Sequence, residues 1–343
     1  MIKYPKPLKK GDIIGVTAPS SGAPGVFSNK LDSAINKFKE LGFNVIETES
    51  VRKNNDNLVS APAELRAKEF NELYFNKEVK AIIPPWGGEF LMEMLPYLDL
   101  KKLKEAEPKW ILGFSDTSTL LFTLTLNSNI ATAHGPNFLD FGNNPVDESV
   151  LESLKILQKE KGASFVQESL EYYQEEWSEV TEDTFPPYNL TEKVDWQVLG
   201  EDNQAQFGGR LIGGNLDVIC KLIGTPYDKV REFINQYKEE GFIWYFESCE
   251  MDSTDVRRTL WQIKMNGWFE NCNGLLYGRV AGYNAPRGYT YVDALSSIKN
   301  ELDIPIVYDV DLGHKPPQLT FINGAYAEVT VEENNEKVLQ KLI

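Results

Sequence analysis

The chain has 343 residues, of which 42% are hydrophobic and 25% are charged, and its formal net charge is −16 at pH 7. A chain of this length typically forms about two domains, each with a sizeable core. Its acidity argues against nucleic-acid binding, which needs clustered basic side chains to neutralise phosphates.

The cysteines and the first residues indicate a compartment. Three widely spaced cysteines form neither a disulfide framework nor a zinc-binding pattern, which favours a reducing environment. The first residues lack the apolar stretch of a secretory signal, and no apolar run reaches the roughly 20 residues that a membrane helix needs. We therefore expect a cytoplasmic protein.

Short strand patterns alternate with helical patterns in the first third of the chain. Strands are predicted over residues 13–17, 44–46 and 81–83, and helices over residues 31–41 and 61–75. A further apolar run at residues 110–112 predicts the next strand. This alternation predicts a parallel sheet covered by helices, with ligands at the carboxyl ends of the strands.

Ser115 is the candidate nucleophile. The strand-like run before it ends at Gly113, and an apolar helical pattern begins directly after it, at residue 117. A serine held on such a strand–turn–helix is exposed at the sheet edge, where it can attack a substrate. Backbone N–H groups at the positive end of the helix would also face the charge that develops there.

A nucleophilic serine needs a base, and the chain contains two histidines, His134 and His314. Each follows a strand-like run and lies in a loop, where catalytic groups tend to be found. Two prolines stiffen the chain after His314. Distance along the chain does not choose between the two, because the members of a catalytic triad can come from remote segments.

Glu247 is the candidate for the acid that orients the histidine. It follows the apolar run at residues 242–246, and a carboxylate at the mouth of a buried strand is costly without a partner. Glu250 and Asp252 lie close enough to leave the assignment open. A role for Glu247 as a helix cap also remains open.

An oxyanion hole needs backbone donors close to the nucleophile. The N–H of Asp116 is one candidate, because this residue directly follows Ser115. The second is expected from the loop with Trp86, Gly87 and Gly88, which follows the predicted strand 81–83. Glycines there would let the backbone approach a substrate closely.

The chain divides at an acidic, aromatic segment. Residues 167–183 contain seven acidic residues and no basic one, with Tyr172, Tyr173 and Trp177 among them. Such a charge run is usually a solvated surface segment, but the aromatics also fit a loop that covers substrate. We predict an N-terminal domain at residues 1–165, a linker or loop at 166–205 and a β-rich domain at 206–343.

Other chemistries have little support in the sequence. We find no paired-cysteine or His-Glu-x-x-His metal pattern, no dinucleotide-binding glycine motif and no Walker A motif, so no metal or cofactor is expected. A glycosidase-type carboxylate pair stays open among the 51 acidic residues.

The chain resembles the LD-carboxypeptidase family of serine peptidases, which includes the microcin C immunity peptidases. The resemblance rests on motifs that occur in the family's order: Lys10-Gly11-Asp12 to Ala18-Pro19-Ser20, Trp86-Gly87-Gly88, Gly113-Phe114-Ser115-Asp116, His134-Gly135-Pro136, Gly213-Gly214-Asn215-Leu216, Gly224-Thr225 and Gly313-His314. The family often has Asp after its catalytic Glu, where this chain has Ser248, and residues 177–196 look longer and more aromatic than in short murein-recycling members.

The resemblance implies a flavodoxin-like N-terminal domain, a swivelling-type β-rich C-terminal domain and a site between them. It also implies Ser115 as nucleophile, His314 as base, Glu247 as orienting acid, a structural His134 and a homodimer. The expected activity is that of a serine carboxypeptidase or amidase. Its substrate would be an L,D-linked murein peptide or an aminoacyl-nucleotide amide. A non-catalytic binding protein and an amidohydrolase of a non-peptide metabolite remain alternatives.

Overall fold

The computed structural model describes residues 1–54, 58–176, 181, 184–200, 203–333 and 335–343. The strands, in chain order, are β1 Ile13–Val16, β2 Asn44–Glu47, β3 Val79–Ile82, β4 Trp110–Gly113, β5 Thr132–His134, β6 Ser164–Glu168, β7 Tyr172–Tyr173, β8 Glu192–Lys193, β9 Gln197–Val198, β10 Ala205–Asn215, β11 Phe242–Glu247, β12 Cys272–Gly278, β13 Ile306–Val310, β14 Phe321–Asn323, β15 Tyr326–Glu332 and β16 Asn335–Lys341.

The α-helices are α1 Val26–Glu40, α2 Ala63–Phe75, α3 Leu100–Glu105, α4 Thr117–Ser128, α5 Glu148–Leu157, α6 Leu216–Ile219, α7 Val230–Gln236, α8 Ser253–Met265 and α9 Tyr291–Leu302. Short 3₁₀ helices span Glu49–Arg52, Leu91–Tyr97, Phe138–Gly142, Cys220–Leu222 and Pro286–Gly288. Among the described residues, no helix is long and apolar enough to cross a membrane.

The first sheet has the strand order β14-β5-β4-β3-β1-β2. Strands β1 to β5 are parallel, in the flavodoxin order 2-1-3-4-5, and β14 pairs antiparallel with β5. All four residues of β4 are buried, as expected for a parallel strand covered by helices on both faces. Because these strands are parallel, the loops after β1, β3, β4 and β5 meet at one edge of the sheet.

The second sheet has the order β6-β16-β15-β10-β11-β12-β13-β9. Its centre, β10 to β13, is parallel, and the flanking strands are antiparallel. Buried and partly exposed residues alternate along β15, because that strand covers the core with one face. The predicted fold class, a parallel-sheet α/β region followed by a β-rich one, is confirmed.

Chain segments cross the predicted domain boundaries in two places. The strand β14 comes from the C-terminal part of the chain but extends the first sheet, where Phe321 pairs with His134. The strand β6, at the end of the predicted N-terminal domain, pairs with β16 in the second sheet. Each sheet therefore contains a strand from the other side of a predicted boundary. The boundaries at residues 165 and 206 stay a prediction.

The two parts meet where α4 begins and β10 ends. Gly214 has a φ of 143°, and a Cβ atom there would lie 2.8 Å from the Cβ of Ser118 in the first turn of α4. The N–H of Asn215 donates a hydrogen bond of 3.0 Å to the Ser118 hydroxyl. This close approach brings the carboxyl edges of both sheets together.

Candidate active site

Ser115 lies on a strained turn between β4 and α4. Its φ is 63°, a left-handed conformation that a serine adopts only when its surroundings impose it. The N–H of Ser118 donates to the Ser115 carbonyl at 2.8 Å, which closes the turn as the helix starts. The predicted strand–turn–helix around the serine is therefore present, and its hydroxyl lies at the edge of the first sheet.

His314 and Glu247 come from the second part of the chain. Glu247 is the last residue of β11, and His314 lies in the loop after β13. The Nε2 atom of His314 is 3.0 Å from the Ser115 Oγ, and its Nδ1 atom is 2.8 Å from the Glu247 Oε2. The three side chains form one hydrogen-bonded line across the junction of the two sheets.

Gly313 makes this arrangement possible. It has a φ of 98°, and a Cβ atom there would lie 2.7 Å from both the Cβ and the Oε2 of Glu247. Any side chain at position 313 would therefore collide with the carboxylate and require a backbone conformation that other residues avoid. The glycine lets the histidine loop rest directly on Glu247.

The charge of Glu247 is isolated from solvent. The residue has no exposed surface, and among the described residues its Oε1 atom has no hydrogen-bond partner. Burial alone would lower the pKa of His314, but the Glu247 carboxylate, with the nearby Cys249, raises that pKa well above its ordinary value. A buried carboxylate stabilises a cation beside it, here the protonated imidazole of His314.

His134 has a different environment. It is completely buried, and among the described residues neither ring nitrogen has a hydrogen-bond partner. The rings of Phe114 and Tyr245 lie edge-on to it, with centroids 6.3 and 5.5 Å away. Burial and the nearby His314 lower the pKa of His134 to about 3, so it is neutral and packs as an apolar side chain.

The loop after β3 lies directly against Ser115. A Cβ atom on Gly87 would come within 2.6 Å of the Ser115 Oγ and 3.0 Å of the Asp116 nitrogen. Gly88 has a φ of 140° and packs against Ser20 and Ser21. Trp86 donates from Nε1 to the Gly22 carbonyl at 2.8 Å, which fixes its ring beside the loop.

The Asp116 side chain has a role that sequence analysis missed. Its Oδ2 atom accepts hydrogen bonds from the Ser20 hydroxyl at 2.6 Å and from the Leu91 N–H at 2.8 Å. Burial raises the pKa of Asp116 to about 6, while these bonds oppose the rise. One carboxyl group thus joins the loops after β1 and β3 to the turn that carries Ser115.

Glu247 is the acid that bonds the histidine, whereas the two alternatives lie elsewhere. Asp252 caps α8 by accepting from the N–H groups of Thr254 and Asp255. The backbone N–H of Glu250 donates to Asp217 at 3.1 Å, as do those of Cys249 and Met251 at 2.9 Å. Asp217 therefore fixes the loop that follows Glu247, a function that no local motif indicates.

Ser115 and His314 line a cavity of about 600 Å³. Its other lining residues are Ser21, Phe27, Lys30, Pro85, Trp86, Gly87, Gly88, Phe114, Asn137, Leu139 and Asp140. Most of these side chains are apolar or aromatic. A cavity of this size fits a small ligand with a substantial apolar part.

The acidic, aromatic segment lines a different cavity. Tyr173 and Glu175 line a cavity of about 810 Å³, together with Lys315. Ser115, His314 and Glu247 do not line this cavity. Tyr172–Tyr173 pairs with Glu192–Lys193 as a short hairpin. Trp177 lies outside the described residues. The alternatives of a surface segment and a substrate-covering loop stay predictions.

Family models match both parts of the chain. Residues 14–135 match the LD-carboxypeptidase N-terminal domain, and residues 208–329 match the LD-carboxypeptidase C-terminal domain. The chain belongs to the LD-carboxypeptidase family. The family resemblance read from the sequence is thereby confirmed, and with it the expectation of an enzyme of the serine hydrolase type.

Members of this family resemble the chain over nearly its whole length. The microcin C7 self-immunity protein MccF of Escherichia coli is 26% identical over 98% of this chain and 96% of its own. A Bacillus subtilis protein named a probable murein peptide carboxypeptidase is 26% identical over 96% and 92%. The solved structure of MccF with glutamyl sulfamoyl guanosine has a TM-score of 0.83 and 23% identity, and covers 98% of both chains.

The strain at Ser115 can be measured with two substitutions that both remove the hydroxyl. Ser115→Ala keeps the left-handed strain, whereas Ser115→Gly relieves it. We expect the free energy of unfolding of Ser115→Gly, measured by urea denaturation, to exceed that of Ser115→Ala by about 1 kcal/mol. Equal stabilities, or a less stable glycine variant, would contradict the strained turn.

Proposed function

We propose that the protein is a serine carboxypeptidase or amidase that hydrolyses an amide bond in a small peptide. The observation that carries the proposal is the continuous line from Glu247 Oε2 through both ring nitrogens of His314 to the Ser115 Oγ, with distances of 2.8 and 3.0 Å. This is the geometry in which an acid orients an imidazole and the imidazole activates a hydroxyl.

In the proposed reaction, Nε2 of neutral His314 accepts the Ser115 hydroxyl proton while Oγ attacks the amide carbonyl carbon. The tetrahedral intermediate collapses as the carbon–nitrogen bond breaks and the imidazolium gives its proton to the leaving amine. Water then attacks the acyl ester, losing a proton to His314, and the bond to Oγ breaks as Ser115 regains its proton. Glu247 stabilises the imidazolium in both halves of the reaction.

The negative charge of the tetrahedral intermediate would be held by backbone N–H groups. We assign one to Asp116, at the start of α4, and one to Gly87 or Gly88, whose loop lies against Ser115. The positive end of α4 adds to this stabilisation. The Asp116 carboxyl supports the arrangement by bonding to Ser20 and Leu91, and Trp86 forms part of the cavity wall.

For the substrate, we propose either an L,D-linked murein peptide or an aminoacyl-nucleotide amide. The first is supported by the relative named as a murein peptide carboxypeptidase, and the second by MccF and its complex with glutamyl sulfamoyl guanosine. Both candidates are small and carry an unusual amide-type bond. A role in peptidoglycan recycling or in antibiotic immunity would follow from whichever substrate is cleaved.

We further propose a cytoplasmic homodimer, as the family resemblance implies. Cys220, Cys249 and Cys272 are all free thiols, which suits a reducing compartment. Trp261 and Met265 on α8 are more than half exposed and could contribute to a subunit contact. Light scattering of the purified protein would give its mass in solution and decide between monomer and dimer.

Covalent labelling tests the proposed nucleophile. We expect one fluorophosphonate adduct per chain, located on Ser115 by peptide mass spectrometry, because the probe reacts with activated serines. Ser115→Ala and His314→Ala should both lose the adduct and the turnover of murein tetrapeptide or glutamyl sulfamoyl guanosine, with kcat/KM falling about a thousandfold or more.

Glu250→Gln serves as a control, since it alters a carboxylate near the site that does not bond His314. Turnover that survives in Ser115→Ala would exclude this residue as the nucleophile. Wild-type protein that binds either compound without cleaving it would favour the non-catalytic alternative. An amidohydrolase of another metabolite would be labelled at Ser115 and leave both compounds intact.

The pH dependence of kcat/KM tests the role of Glu247. Because the carboxylate raises the pKa of His314, the base is protonated below that pKa, and activity should rise as the pH increases through it. In Glu247→Gln, His314 stays buried while the carboxylate charge beside it is lost, so the pKa of His314 should fall. The midpoint of the pH profile of kcat/KM should therefore move to lower pH. The maximal rate should also fall by about 10²–10⁴-fold. An unchanged midpoint would contradict the proposed pairing.

A further inference from the structure

Lys30 is the one lysine or arginine among the described residues that line the Ser115 cavity, where the other basic group is the imidazole of His314. It lies on α1 and is partly buried. Neither the family motifs nor the Ser115–His314–Glu247 line involves it. Its position on the wall of an otherwise largely apolar cavity therefore calls for an explanation.

The Lys30 ammonium has N–H donors without a hydrogen-bond acceptor among the described residues. Within the described part of the chain, no hydrogen bond or ion pair involves its Nζ atom, although a lysine has three N–H donors. Burial lowers the pKa of Lys30, and the Asp140 carboxylate partly opposes that change. A partly buried cation without a bonded partner is unfavourable, and a ligand that brings an anion would relieve this cost.

Asp140 is the nearby carboxylate, and each of its oxygens already accepts one hydrogen bond. Its Oδ2 atom accepts from the Asn137 N–H at 2.8 Å, and its Oδ1 atom accepts from the Tyr188 hydroxyl at 3.3 Å. The bond from Asn137 is part of the capping box of the 3₁₀ helix Phe138–Gly142. Asp140 thus supports that helix and supplies a nearby negative charge, while Lys30 lines the cavity.

We propose that Lys30 is a specificity-determining residue that binds an anionic group of the substrate. This inference rests on the proposed function, since it assigns a substrate feature to the same cavity. The shared chemistry is a carboxylate or a phosphate-like group attached to a part of the substrate that also contacts Phe27 and Trp86. These two rings lie 4.3 Å apart between centroids and form an apolar wall of the cavity.

The anion has two sources in the proposed substrates. A murein peptide ends in a free carboxylate, and an aminoacyl nucleotide carries a phosphate-type group next to its acyl amide. Lysine binds either as a point charge, without the planar geometry that arginine requires. Matched pairs of ligands that differ only in this group separate the two sources.

The first arm of the test compares murein tetrapeptide with its C-terminal amide as substrates. The second compares adenosine 5′-monophosphate with adenosine by calorimetric binding. In wild-type protein, the anionic member of at least one pair should be preferred. Lys30→Met should abolish that preference, raising KM or Kd for the anionic member about tenfold or more and leaving kcat and the neutral member little changed. Lys30→Arg should restore most of it.

Lys37→Met is the matched control, because Lys37 lies on the same helix but is paired with Glu40 at 2.6 Å on the surface. Loss of preference in the peptide arm alone identifies a carboxylate, and loss in the nucleotide arm alone identifies a phosphate. The proposal is overturned if wild-type protein prefers neither anion, or if Lys30→Met keeps the preference. It is also overturned if Lys30→Met weakens charged and neutral ligands equally while lowering Tm, since Lys30 would then be a structural partner of Asp140.

The nucleotide arm measures binding and needs no turnover. If wild-type protein cleaves neither candidate substrate but still prefers the monophosphate through Lys30, the proposed function fails and this inference stands. If turnover occurs without any contribution from Lys30, the proposed function stands and this inference fails.

Discussion

The buried Glu247 carboxylate is the charge on which the arrangement of the site depends. It has no contact with solvent, and one of its oxygens bonds His314 while the other has no partner among the described residues. A charge in such surroundings favours a cation beside it, so the imidazole is held in place and its protonated form is stabilised. The reaction we propose uses this preference twice, each time His314 takes a proton.

Close backbone approach is the second constraint. Gly313 allows the histidine loop to rest on Glu247, Gly87 allows the loop after β3 to reach Ser115, and Gly214 allows β10 to meet α4. At each of these positions a Cβ atom would come within 3 Å of another residue. Ser115 follows a strand of one sheet, and Glu247 and His314 come from the other, so the hydrogen-bonded line that we propose as catalytic exists only when both parts of the chain are docked.

Much of the fold was predictable from sequence, because buried parallel strands leave continuous apolar runs and helices leave a regular spacing. The turn at Ser115 and the glycine loop were found in the same way. The residues alone did not show whether His134 or His314 is the base, since both were expected in similar loops. Only the family resemblance favoured His314. Pairings over long sequence distances were missed. An apolar run at residues 319–322 indicated a strand near β14, but not its pairing with β5 in the first sheet. The loop anchor Asp217 and the cavity lysine Lys30 carry no local pattern, and only the folded chain brings them to their partners.

Because the chain has two histidines, a single titration can test the central claim that Glu247 charges His314 while His134 stays neutral. We would follow both imidazoles by ¹⁵N NMR as a function of pH, with Glu247→Gln to assign them. The His314 ring should remain protonated at pH values well above the ordinary histidine pKa of about 6.5. The His134 ring should stay neutral until the pH falls to its pKa of about 3. Two rings that both titrate near 6.5, unaffected by the substitution, would contradict the account.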